Sequence, residues 1–192
     1  LSNYMKNLYL IGGGGHCNSC IDVIELENKY RIKGIFDIEE KIGKNISSYE
    51  IIGCDDDISN YCDKNNFFLI TIGQIYSPDL RKKYFNMNLN LAKVISPRAY
   101  VSKKAKISEG TIVMHDAIIN SGAQIGKNCI INTKSLIEHD SVIGNNCHIS
   151  TGAIINGSVV VGDDTFIGSG SVTSHSITIE KKSFFKANSL VK

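Results

Sequence analysis

The sequence predicts two domains, a small α/β domain over residues 1–90 and a parallel β-helix over residues 91–192. Two observations carry this prediction. Before residue 90, short apolar runs alternate with segments of helical spacing, and after it an aliphatic residue returns at every sixth position. A period of six fits neither the 3.6 residues of a helical turn nor the two-residue alternation of a strand. The second domain is therefore predicted to be a repeat architecture.

The first domain is predicted to be a Rossmann-like βαβ arrangement. Residues 7–11, 32–37 and 67–73 have the composition of short buried strands, and residues 20–30 have the apolar spacing of a helix. Residues 77–85 begin with Ser and Pro, which is a common start of a helix. Strands that alternate with helices are typical of a parallel sheet with right-handed crossovers.

The six-residue repeat begins within residues 88–99, where we place the domain boundary. It runs for thirteen hexads, and its register breaks after Ile167. The aliphatic positions are Ile95, Val101, Ile107, Val113, Ile119, Ile125, Ile131, Ile137, Ile143, Ile149, Ile155, Val161 and Ile167. Four places after each stands a residue that is nearly always small. Three short strands make a triangular turn of 18 residues, with the aliphatic residue inside and the small one near a corner. At about 4.8 Å per turn, the prism is predicted to have a little over four turns and a length of roughly 20 Å.

Composition and charge exclude some classes of function. A net charge of +2 gives no electrostatic footprint for nucleic acid, and no apolar run approaches the ~20 residues that cross a bilayer. MKNLYLI from Met5 is typical of a natural start, with residues 1–4 as upstream sequence, and no signal peptide is recognisable. Six cysteines without an export signal predict reduced thiols in the cytoplasm. Cys129 and Cys147, both in the small-residue position, are predicted to be packed core residues.

Residues 131–152 contain the strongest candidate for chemistry. His139 stands two places after Ile137, at a predicted corner, so its side chain is expected to face outward. Glu138 and Asp140 flank it, and a His with an adjacent carboxylate is the arrangement that general-base catalysis requires. A surface His in a polar corner is the alternative. Asn132 lies seven residues earlier and His148 nine residues later.

The glycine-rich segment after the first strand is the second candidate site. Bare glycines let backbone N–H groups approach phosphate oxygens, and the following helix N-terminus favours an anion. The dinucleotide fingerprint is incomplete, because Cys17 replaces its third glycine. A tight structural turn is the alternative. Asp37, at the end of the second strand, is a candidate acceptor of hydrogen bonds from a uracil or a ribose.

Residues 17–20 (CNSC) also form a C-x-x-C motif, which occurs in redox-active and zinc-binding proteins. Cys54 and Cys62 do not supply a second C-x-x-C, so we predict neither redox activity nor a bound metal.

The run NTKSLIEHDSVIGNNCHISTGA resembles the active-site run of the PglD/NeuD family of bacterial sugar acetyltransferases. The family pairs a nucleotide-binding βαβ domain with the left-handed parallel β-helix of hexapeptide acyltransferases. The resemblance covers both domains, because the first one opens with a strand and a glycine-rich turn that ends in Gly-His. Five positions match the family's active-site pattern: Asn132, Glu138, His139, Asp140 and His148.

The resemblance implies roles for these residues. His139 is expected to be the general base, oriented by Asp140, with Asn132 and Glu138 at the substrate. His148 is expected near the acetyl thioester of acetyl-CoA, and a backbone N–H near Gly152 is expected to polarise the thioester carbonyl. In trimeric relatives the donor lies between two prisms, so His139 is expected to face the Gly157 and Gly168 regions of a neighbouring chain.

The resemblance also implies roles in the first domain. The turn is expected to hold the pyrophosphate, or nearby atoms, of a nucleotide-linked sugar; its residues are Gly12, Gly13, Gly14, Gly15 and His16. Gly73 and Arg81 are expected to help close this pocket, although Arg81 also fits a solvated helix residue. His115 is interpreted as structural, and His175 has no clear placement.

The predicted function is acetyl-CoA-dependent N-acetylation of a nucleotide-linked amino sugar, such as a UDP-4-amino-4,6-dideoxy sugar, by a homotrimer without metal. O-acetylation of a sialic-acid-type sugar and a non-catalytic nucleotide-sugar-binding protein are the alternatives. Relatives commonly end in a proline-containing segment along the adenine of coenzyme A. Residues 184–192 (FFKANSLVK) contain no proline, so adenine contacts there are not predicted.

Overall fold

A computed structural model describes residues 5–192, so the interpretation of residues 1–4 as upstream sequence lies outside the described residues. The first domain is a five-stranded sheet with the order β3-β4-β2-β1-β5, parallel except for the β3–β4 pair. Its elements are β1 (Lys6–Ile11), α1 (Gly15–Glu27), β2 (Tyr30–Phe36), β3 (Asn45–Ile46), β4 (Tyr49–Gly53), β5 (Asn66–Ile70) and α2 (Asp79–Phe85), with 3-10 helices at Glu39–Lys41 and Asp55–Tyr61.

The predicted elements of this domain are present, with shifted ends. Helix α1 begins at Gly15, the last of the four glycines, and ends before Asn28, which takes the left-handed conformation (φ 54°). Strand β5 ends at Ile70, so residues 71–73 leave the sheet as a loop. The sequence did not predict β3 and β4.

The second domain consists of seventeen strands of two residues each, stacked in parallel as three flat faces. Face 1 contains β6 (Val94–Ile95), β9 (Ile112–Val113), β12 (Ile130–Ile131), β15 (His148–Ile149), β18 (Phe166–Ile167) and β21 (Phe184–Phe185). Face 2 contains β7 (Tyr100–Val101), β10 (Ile118–Ile119), β13 (Leu136–Ile137), β16 (Ile154–Ile155), β19 (Val172–Thr173) and β22 (Leu190–Val191). Face 3 contains β8 (Lys106–Ile107), β11 (Gln124–Ile125), β14 (Val142–Ile143), β17 (Val160–Val161) and β20 (Thr178–Ile179). The predicted parallel β-helix is confirmed.

The prediction that the register breaks after Ile167 is wrong. The coil continues for four more strands, with Thr173, Ile179, Phe185 and Val191 in the inward position. Thr173 is accommodated although it is polar, because its hydroxyl oxygen accepts a hydrogen bond from Asn156 N–H at 2.9 Å. The prism therefore has five complete turns and two further strands.

From Gly110 onward, each corner has a residue in the left-handed conformation, three places after the inward residue. Gly occupies four of these corners, and Asp or Asn most of the others; the full set is Gly110, Asp116, Gly122, Asn128, Lys134, Asp140, Asn146, Gly152, Ser158, Asp164, Gly170, Ser176, Lys182 and Asn188. Gly, Asn and Asp tolerate a positive φ better than other residues do. One consequence concerns the candidate site, because Asp140 (φ 60°) is held at its corner by the geometry of the coil.

The interior is apolar, and the cysteines are part of it. Cys129 and Cys147 are fully buried among the aliphatic residues, which confirms their interpretation as core residues. Cys17 and Cys20 are buried on α1, and burial raises the pKa of the Cys17 thiol to about 11. Within residues 5–192, no group of three or more His, Cys, Asp or Glu side chains is arranged to hold a metal ion. None of the helices in this range is long and apolar enough to cross a bilayer.

Arg81 fastens the first domain to the β-helix. It is 1% exposed, which rules out the interpretation as a solvated helix residue. Its guanidinium donates to the carbonyl oxygens of Ile70 and Ile72 at 2.7 and 2.8 Å, and to Asn128 Oδ1 at 2.7 Å. Arg81 therefore fixes the loop after β5 rather than lining a pocket.

Two further residues of the first domain contact the β-helix at the corner between faces 3 and 1. Gln74 donates its Nε2–H to the carbonyl of Asn146 at 3.0 Å, and Lys82 pairs with Asp164 at 2.8 Å. His115 also lies between the domains, 2.8 Å from Asp22 on α1, as its structural interpretation predicts. The first domain is thus seated on face 1.

Candidate active site

An elongated groove of about 500 Å³ runs between the loop after β5 and the corner that joins faces 1 and 2. Four residues spaced by 18 line the corner, namely Asn132, Ser150, Gly168 and Lys186. The outward residues of face 1 form the floor, and Gly73, Gln74 and Ile75 form the opposite wall. We call this cavity the corner groove. Small residues at the middle levels leave room for an extended ligand along the coils.

A second cavity of about 620 Å³ lies over the glycine turn of the first domain. Its lining includes the whole turn, Gly12 to Gly15, together with Asp37, Lys41 and Lys83. We call it the glycine-loop cavity. His16, Gly73 and Ile75 line both this cavity and the corner groove. The two spaces therefore meet at these three residues.

The four glycines of the turn have different roles. Gly12 has a φ of 101°, and a Cβ there would collide with Ile72. A Cβ on Gly13 would lie 2.9 Å from Asp37 Oδ2. Nothing lies within 4 Å of a Cβ added at Gly14 or Gly15. The fold thus requires the first two glycines, whereas the other two leave space at the N-terminus of the 13-residue helix α1 for a ligand.

Asp37 holds the turn in shape. Its Oδ2 accepts hydrogen bonds from Gly13 N–H at 2.7 Å and from Lys41 Nζ at 2.9 Å, and its Oδ1 accepts one from Ile38 N–H at 2.7 Å. Partial burial opposes ionisation of Asp37, but these donors outweigh it and hold the pKa of the carboxyl below its ordinary value. The carboxylate is therefore charged and organises the loop, while its contact with a nucleoside stays a prediction.

His148 is fixed in the corner groove at the level of Asn132, and both of its ring nitrogens are hydrogen-bonded. Its Nδ1–H donates to the Gln74 carbonyl, and its Nε2 accepts a hydrogen bond from Asn132 Nδ2 at 3.0 Å. Burial lowers the pKa of His148 to about 4, so the ring is neutral at pH 7. His148 can orient Asn132 and wall the groove, but it has no free lone pair with which to act as a base.

His16 lies at the junction of the two cavities. Burial, with smaller contributions from Arg81 and His148, lowers the pKa of His16 to about 4. Its Nε2 is buried and has no hydrogen-bond partner among residues 5–192. Gln74 Oε1, close by in the groove wall, is buried and unpartnered among the same residues. A neutral His and an amide oxygen at this point are suited to polar groups of a ligand.

His139 has the arrangement of a general base. Its Nδ1 is 3.0 Å from Asp140 Oδ2, so the carboxylate accepts Nδ1–H and leaves the lone pair on Nε2. The imidazole is 60% exposed. Glu138 does not contact the ring; it accepts hydrogen bonds from Asn120 Nδ2 at 2.9 Å and from His139 N–H at 3.2 Å. Glu138 thus supports the backbone at this corner.

The glycines predicted to bind acetyl-CoA are not all in one place. Gly168 lines the corner groove. The N–H of Gly152 itself donates to Thr133 O at 2.9 Å and is not free to polarise a thioester carbonyl, so the donor predicted near Gly152 stays a prediction. Gly157 lies under His139 of its own chain, where a Cβ would be 2.7 Å from Nε2, and its position opposite a neighbour's His139 stays a prediction. Gly157 N–H has no hydrogen-bond partner within the described part of the chain.

One chain does not bring His139 to the two cavities. His139 follows β13 of face 2 and precedes β14 of face 3, so it stands on the edge of the prism opposite face 1. Both cavities lie on the side of face 1. His175, two coils further on, occupies the same edge and is exposed. The body of the prism therefore separates the candidate base from the candidate ligand cavities of its own chain.

Sequence reasoning missed Gln74, Phe166 and Phe184, which line the corner groove. Phe166 and Phe184 stand one place before an inward residue, so the six-residue period does mark them as outward on face 1. No comparable signal exists for Gln74, because its place follows from how the two domains pack.

Two family models match the chain. Residues 7–87 match the PglD N-terminal domain, and residues 140–175 match the bacterial transferase hexapeptide (six repeats). The chain resembles PglD-type acetyltransferases in both domains. A comparison with curated protein sequences found no match. The predicted resemblance and fold class are confirmed.

Solved structures agree with this resemblance over nearly the whole chain. The acetyltransferase domain of PglB from Neisseria gonorrhoeae is 23% identical, with a TM-score of 0.90 and coverage of 97% of this chain and 91% of that one. A histidine-to-alanine mutant of GDP-perosamine N-acetyl transferase from Caulobacter crescentus, in complex with CoA and GDP-perosamine, is 26% identical, with a TM-score of 0.90 and coverage of 97% and 88%. WeeI from Acinetobacter baumannii is 16% identical, with a TM-score of 0.74 and coverage of 96% and 93%. Together with the hexapeptide match, these similarities support the prediction of an acyltransferase.

Proposed function

We propose that this PglD-like chain transfers the acetyl group of acetyl-CoA to the amino group of a nucleotide-activated amino sugar. The observation that carries the proposal is the meeting of two cavities at His16, Gly73 and Ile75. A two-substrate transfer needs two binding spaces whose reactive ends coincide. Relatives of this fold contain CoA and GDP-perosamine together, which supports the same division here.

The glycine-loop cavity suits the acceptor. The N-terminus of α1 offers backbone N–H groups to an anion, and Gly14 leaves the approach open. Lys41 and Lys83 also line the cavity, each paired with a carboxylate, Lys41 with Asp37 and Lys83 with Asp55. In this arrangement the pyrophosphate lies on the turn and the amino sugar points to His16.

The corner groove suits acetyl-CoA. It extends over four coils, from Asn132 to Lys186, and its floor is made of the outward side chains of face 1. The pantetheine arm lies along Gly168 and Ser150, with the thioester at Asn132 and His148. His148 here is a positioning residue, because its two nitrogens are already bonded.

The base is His139 of a second copy. As the sugar amine attacks the thioester carbon, its proton passes to His139 Nε2, and Asp140 stabilises the imidazolium that forms. The C–S bond then breaks, and the imidazolium returns the proton to the departing thiolate of CoA. Gly157 N–H, next to the imidazole and free of described partners, takes the oxyanion role that Gly152 cannot have.

The outward residues of face 2 support contact with a second copy of the chain. All of its outward residues are apolar, and several are well exposed; they are Tyr100, Ile118, Leu136, Ile154, Val172 and Leu190. Face 1 is covered by the first domain, and face 3 begins with polar Lys106 and Gln124. A homotrimer that buries face 2 would bring the His139 edge of one chain to the corner groove of the next.

The proposed function is tested by thiol release from acetyl-CoA with the purified protein and UDP-, GDP- or CMP-linked amino sugars. We expect turnover with one nucleotide class and an N-acetyl product by mass spectrometry. The matched sugars with a hydroxyl in place of the amine test O-acetylation. Exclusive turnover of the hydroxyl sugars would replace N-acetylation by O-acetylation, and no turnover with any acceptor would favour a non-catalytic binding protein.

Gly14→Val is expected to raise the KM for the acceptor at least about tenfold, because a side chain would occupy the space where the pyrophosphate meets the backbone. The KM for acetyl-CoA is expected to stay unchanged. Nothing within 4 Å opposes a Cβ at this position, so the variant should fold. Asn18→Ala, further along α1 and outside both cavities, is the control. A shift in the acetyl-CoA constant instead would assign the turn to the donor.

Gly157→Ala is expected to lower kcat by roughly 10², because a displacement of about 1 Å at a reacting group can have that effect. The added Cβ would lie 2.7 Å from His139 Nε2 and 2.9 Å from Cε1, so the exposed imidazole must move. Ser158→Ala, at the next residue, is the control. Wild-type kcat in a folded Gly157→Ala protein would contradict the proposed position of the base.

A further inference from the structure

Helix α2 presents two neighbouring cations, Arg81 and Lys82, to one corner of the β-helix. Three left-handed corner residues stand there, each 18 residues after the last, namely Asn128 (φ 53°), Asn146 (φ 55°) and Asp164 (φ 62°). Successive coils lie about 4.8 Å apart, so a side-chain amide on one coil can reach the side chain on the next. The corner between faces 3 and 1 therefore has a column of polar side chains opposite two positive charges.

Hydrogen bonds join these five residues into one chain. Arg81 donates to Asn128 Oδ1 at 2.7 Å, and Asn128 Nδ2–H donates to Asn146 Oδ1 at 3.0 Å. Asn146 Nδ2–H donates to Asp164 Oδ1 at 3.0 Å, and Lys82 Nζ donates to Asp164 Oδ2 at 2.8 Å. We call this chain of bonds the interdomain ladder. It begins and ends on α2, with both amides oriented from the guanidinium towards the carboxylate.

The interdomain ladder is largely buried and has a charged group at each end. Asn128 is fully buried, and the side chain of Asp164 is 10% exposed. Burial lowers the pKa of Arg81 to about 10, so the guanidinium is still cationic at pH 7. Hydrogen bonds with a charged partner are stronger than neutral ones, and bonds in a chain polarise one another. The ladder is therefore a firm link between α2 and successive coils of the β-helix.

The interdomain ladder also holds the loop at which the two cavities meet. Arg81 donates to two carbonyl oxygens around the start of this loop. Gln74 donates its Nε2–H to the carbonyl of Asn146, and its own carbonyl accepts the Nδ1–H of His148. Gly73, one residue earlier, lines both cavities. Within residues 5–192, the linings of both cavities leave out all five ladder residues, so the ladder acts on the junction through the loop.

We propose that Lys82 and Asp164 are positioning residues for the acetyl transfer, because their ion pair completes the ladder that sets the acceptor cavity against the corner groove. The proposal rests on the proposed function, since it takes acetyl transfer as the reaction at the junction. A displacement of about 1 Å between reacting groups can lower the rate of a transfer roughly 10²-fold. Loss of the ion pair is expected to let the loop and His148 shift, while each cavity keeps its lining.

The kinetic test compares Lys82→Met, Asp164→Asn and the double variant. Asn tolerates the left-handed conformation at position 164, and the side chain of Lys82 is 32% exposed and can turn to solvent, so the variants should fold. Each single change is expected to lower kcat about 10- to 100-fold and to alter both KM values less than about twofold. The double variant should have the kcat of the single variants, because its second change removes a bond that is already lost.

Asp163→Asn is the matched control. It removes the same charge one residue earlier, where the carboxylate accepts a hydrogen bond from Asn145 N–H at 2.6 Å within the β-helix. Its kcat is expected to be close to that of the wild type. An unchanged kcat in a folded Asp164→Asn protein, or an equal loss in Asp163→Asn, would overturn the proposal. A higher KM for acetyl-CoA at unchanged kcat would also overturn it, because the pair would then act on donor binding.

A second test uses the imidazole N–H signals of isotope-labelled histidine in nuclear magnetic resonance and needs no substrate. The Nδ1–H of His148 is buried and hydrogen-bonded, so it is expected to exchange slowly with water, and the signal is assigned by its loss in His148→Gln. Exchange should become faster in Asp164→Asn and stay slow in Asp163→Asn. His115, which is hydrogen-bonded on the same interface, is the internal reference. Faster exchange of both histidines would indicate a general loosening of the interface and would contradict the proposal.

The two tests separate this proposal from the proposed function. If the wild type is active and the ladder variants are equally active, the positioning role fails and the proposed function stands. If the wild type transfers no acetyl group to any acceptor, the proposed function fails and the positioning of that reaction fails with it. The signal of His148 then decides by itself whether the interdomain ladder holds this side chain.

Discussion

His139→Ala is expected to lower kcat by roughly 10²–10⁴, the usual contribution of a positioned general base. Among the five histidines, His139 combines an exposed ring with a carboxylate on Nδ1 and a lone pair left on Nε2. His148 and His16 are buried and neutral, and both nitrogens of His148 are bonded. The measurement is steady-state thiol release at saturating acceptor and acetyl-CoA, together with the affinity for CoA.

The affinity for CoA should change little, because the imidazole of His139 stabilises the transition state and does not line the corner groove. Asp140→Asn is the matched variant, since Asn also tolerates the left-handed conformation at that corner. It should lower kcat less than His139→Ala does, because it disturbs the orientation of the ring and leaves the base in place. Retention of more than about a tenth of wild-type kcat by a folded His139→Ala protein would reject the assignment of the base, given the size expected for general-base catalysis.

The β-helix could be predicted from the sequence because its period is local. Each inward residue is required by the same corner geometry, so every hexad shows the pattern without reference to distant residues. The sequence predicts that the repeat ends before Thr173, because this residue is polar. In the structure Thr173 is buried, and its hydroxyl oxygen accepts a hydrogen bond from Asn156 N–H. The left-handed corner residues Ser176, Lys182 and Asn188 show that the coil continues, although Thr173 and Phe185 interrupt the aliphatic positions.

The pairing of His139 with Asp140 was predictable for the same reason. The two residues are neighbours in sequence, and the coil fixes Asp140 at a positive φ that leaves its carboxylate beside the ring. The bonds of His148 were not predictable, because its partner Gln74 is 74 residues away and is placed by the docking of the first domain. Arg81 is a similar case. Its sequence position fits a solvated helix residue, but it is buried because its guanidinium donates hydrogen bonds to four oxygen atoms from two domains.

Mixed trimers of two inactive variants are expected to recover activity if, as proposed, the base and the acceptor cavity of one site belong to different chains. His139→Ala chains keep the glycine turn, and Gly14→Val chains keep the base. If each site pairs the turn of one chain with His139 of the next, about a third of the sites are intact in trimers that contain both variants. At an acceptor concentration below the raised KM of Gly14→Val, each parent protein should be nearly inactive, so the gain in activity on mixing is large.

The two variants are co-expressed with different tags, and the mixed trimers are isolated by both tags. The double variant His139→Ala/Gly14→Val assembled with wild type is the control. Doubly tagged trimers without recovered activity would show that each chain builds its own site. That result would contradict the proposal that His139, which lies far from the cavities of its own chain, serves the cavities of a neighbouring chain.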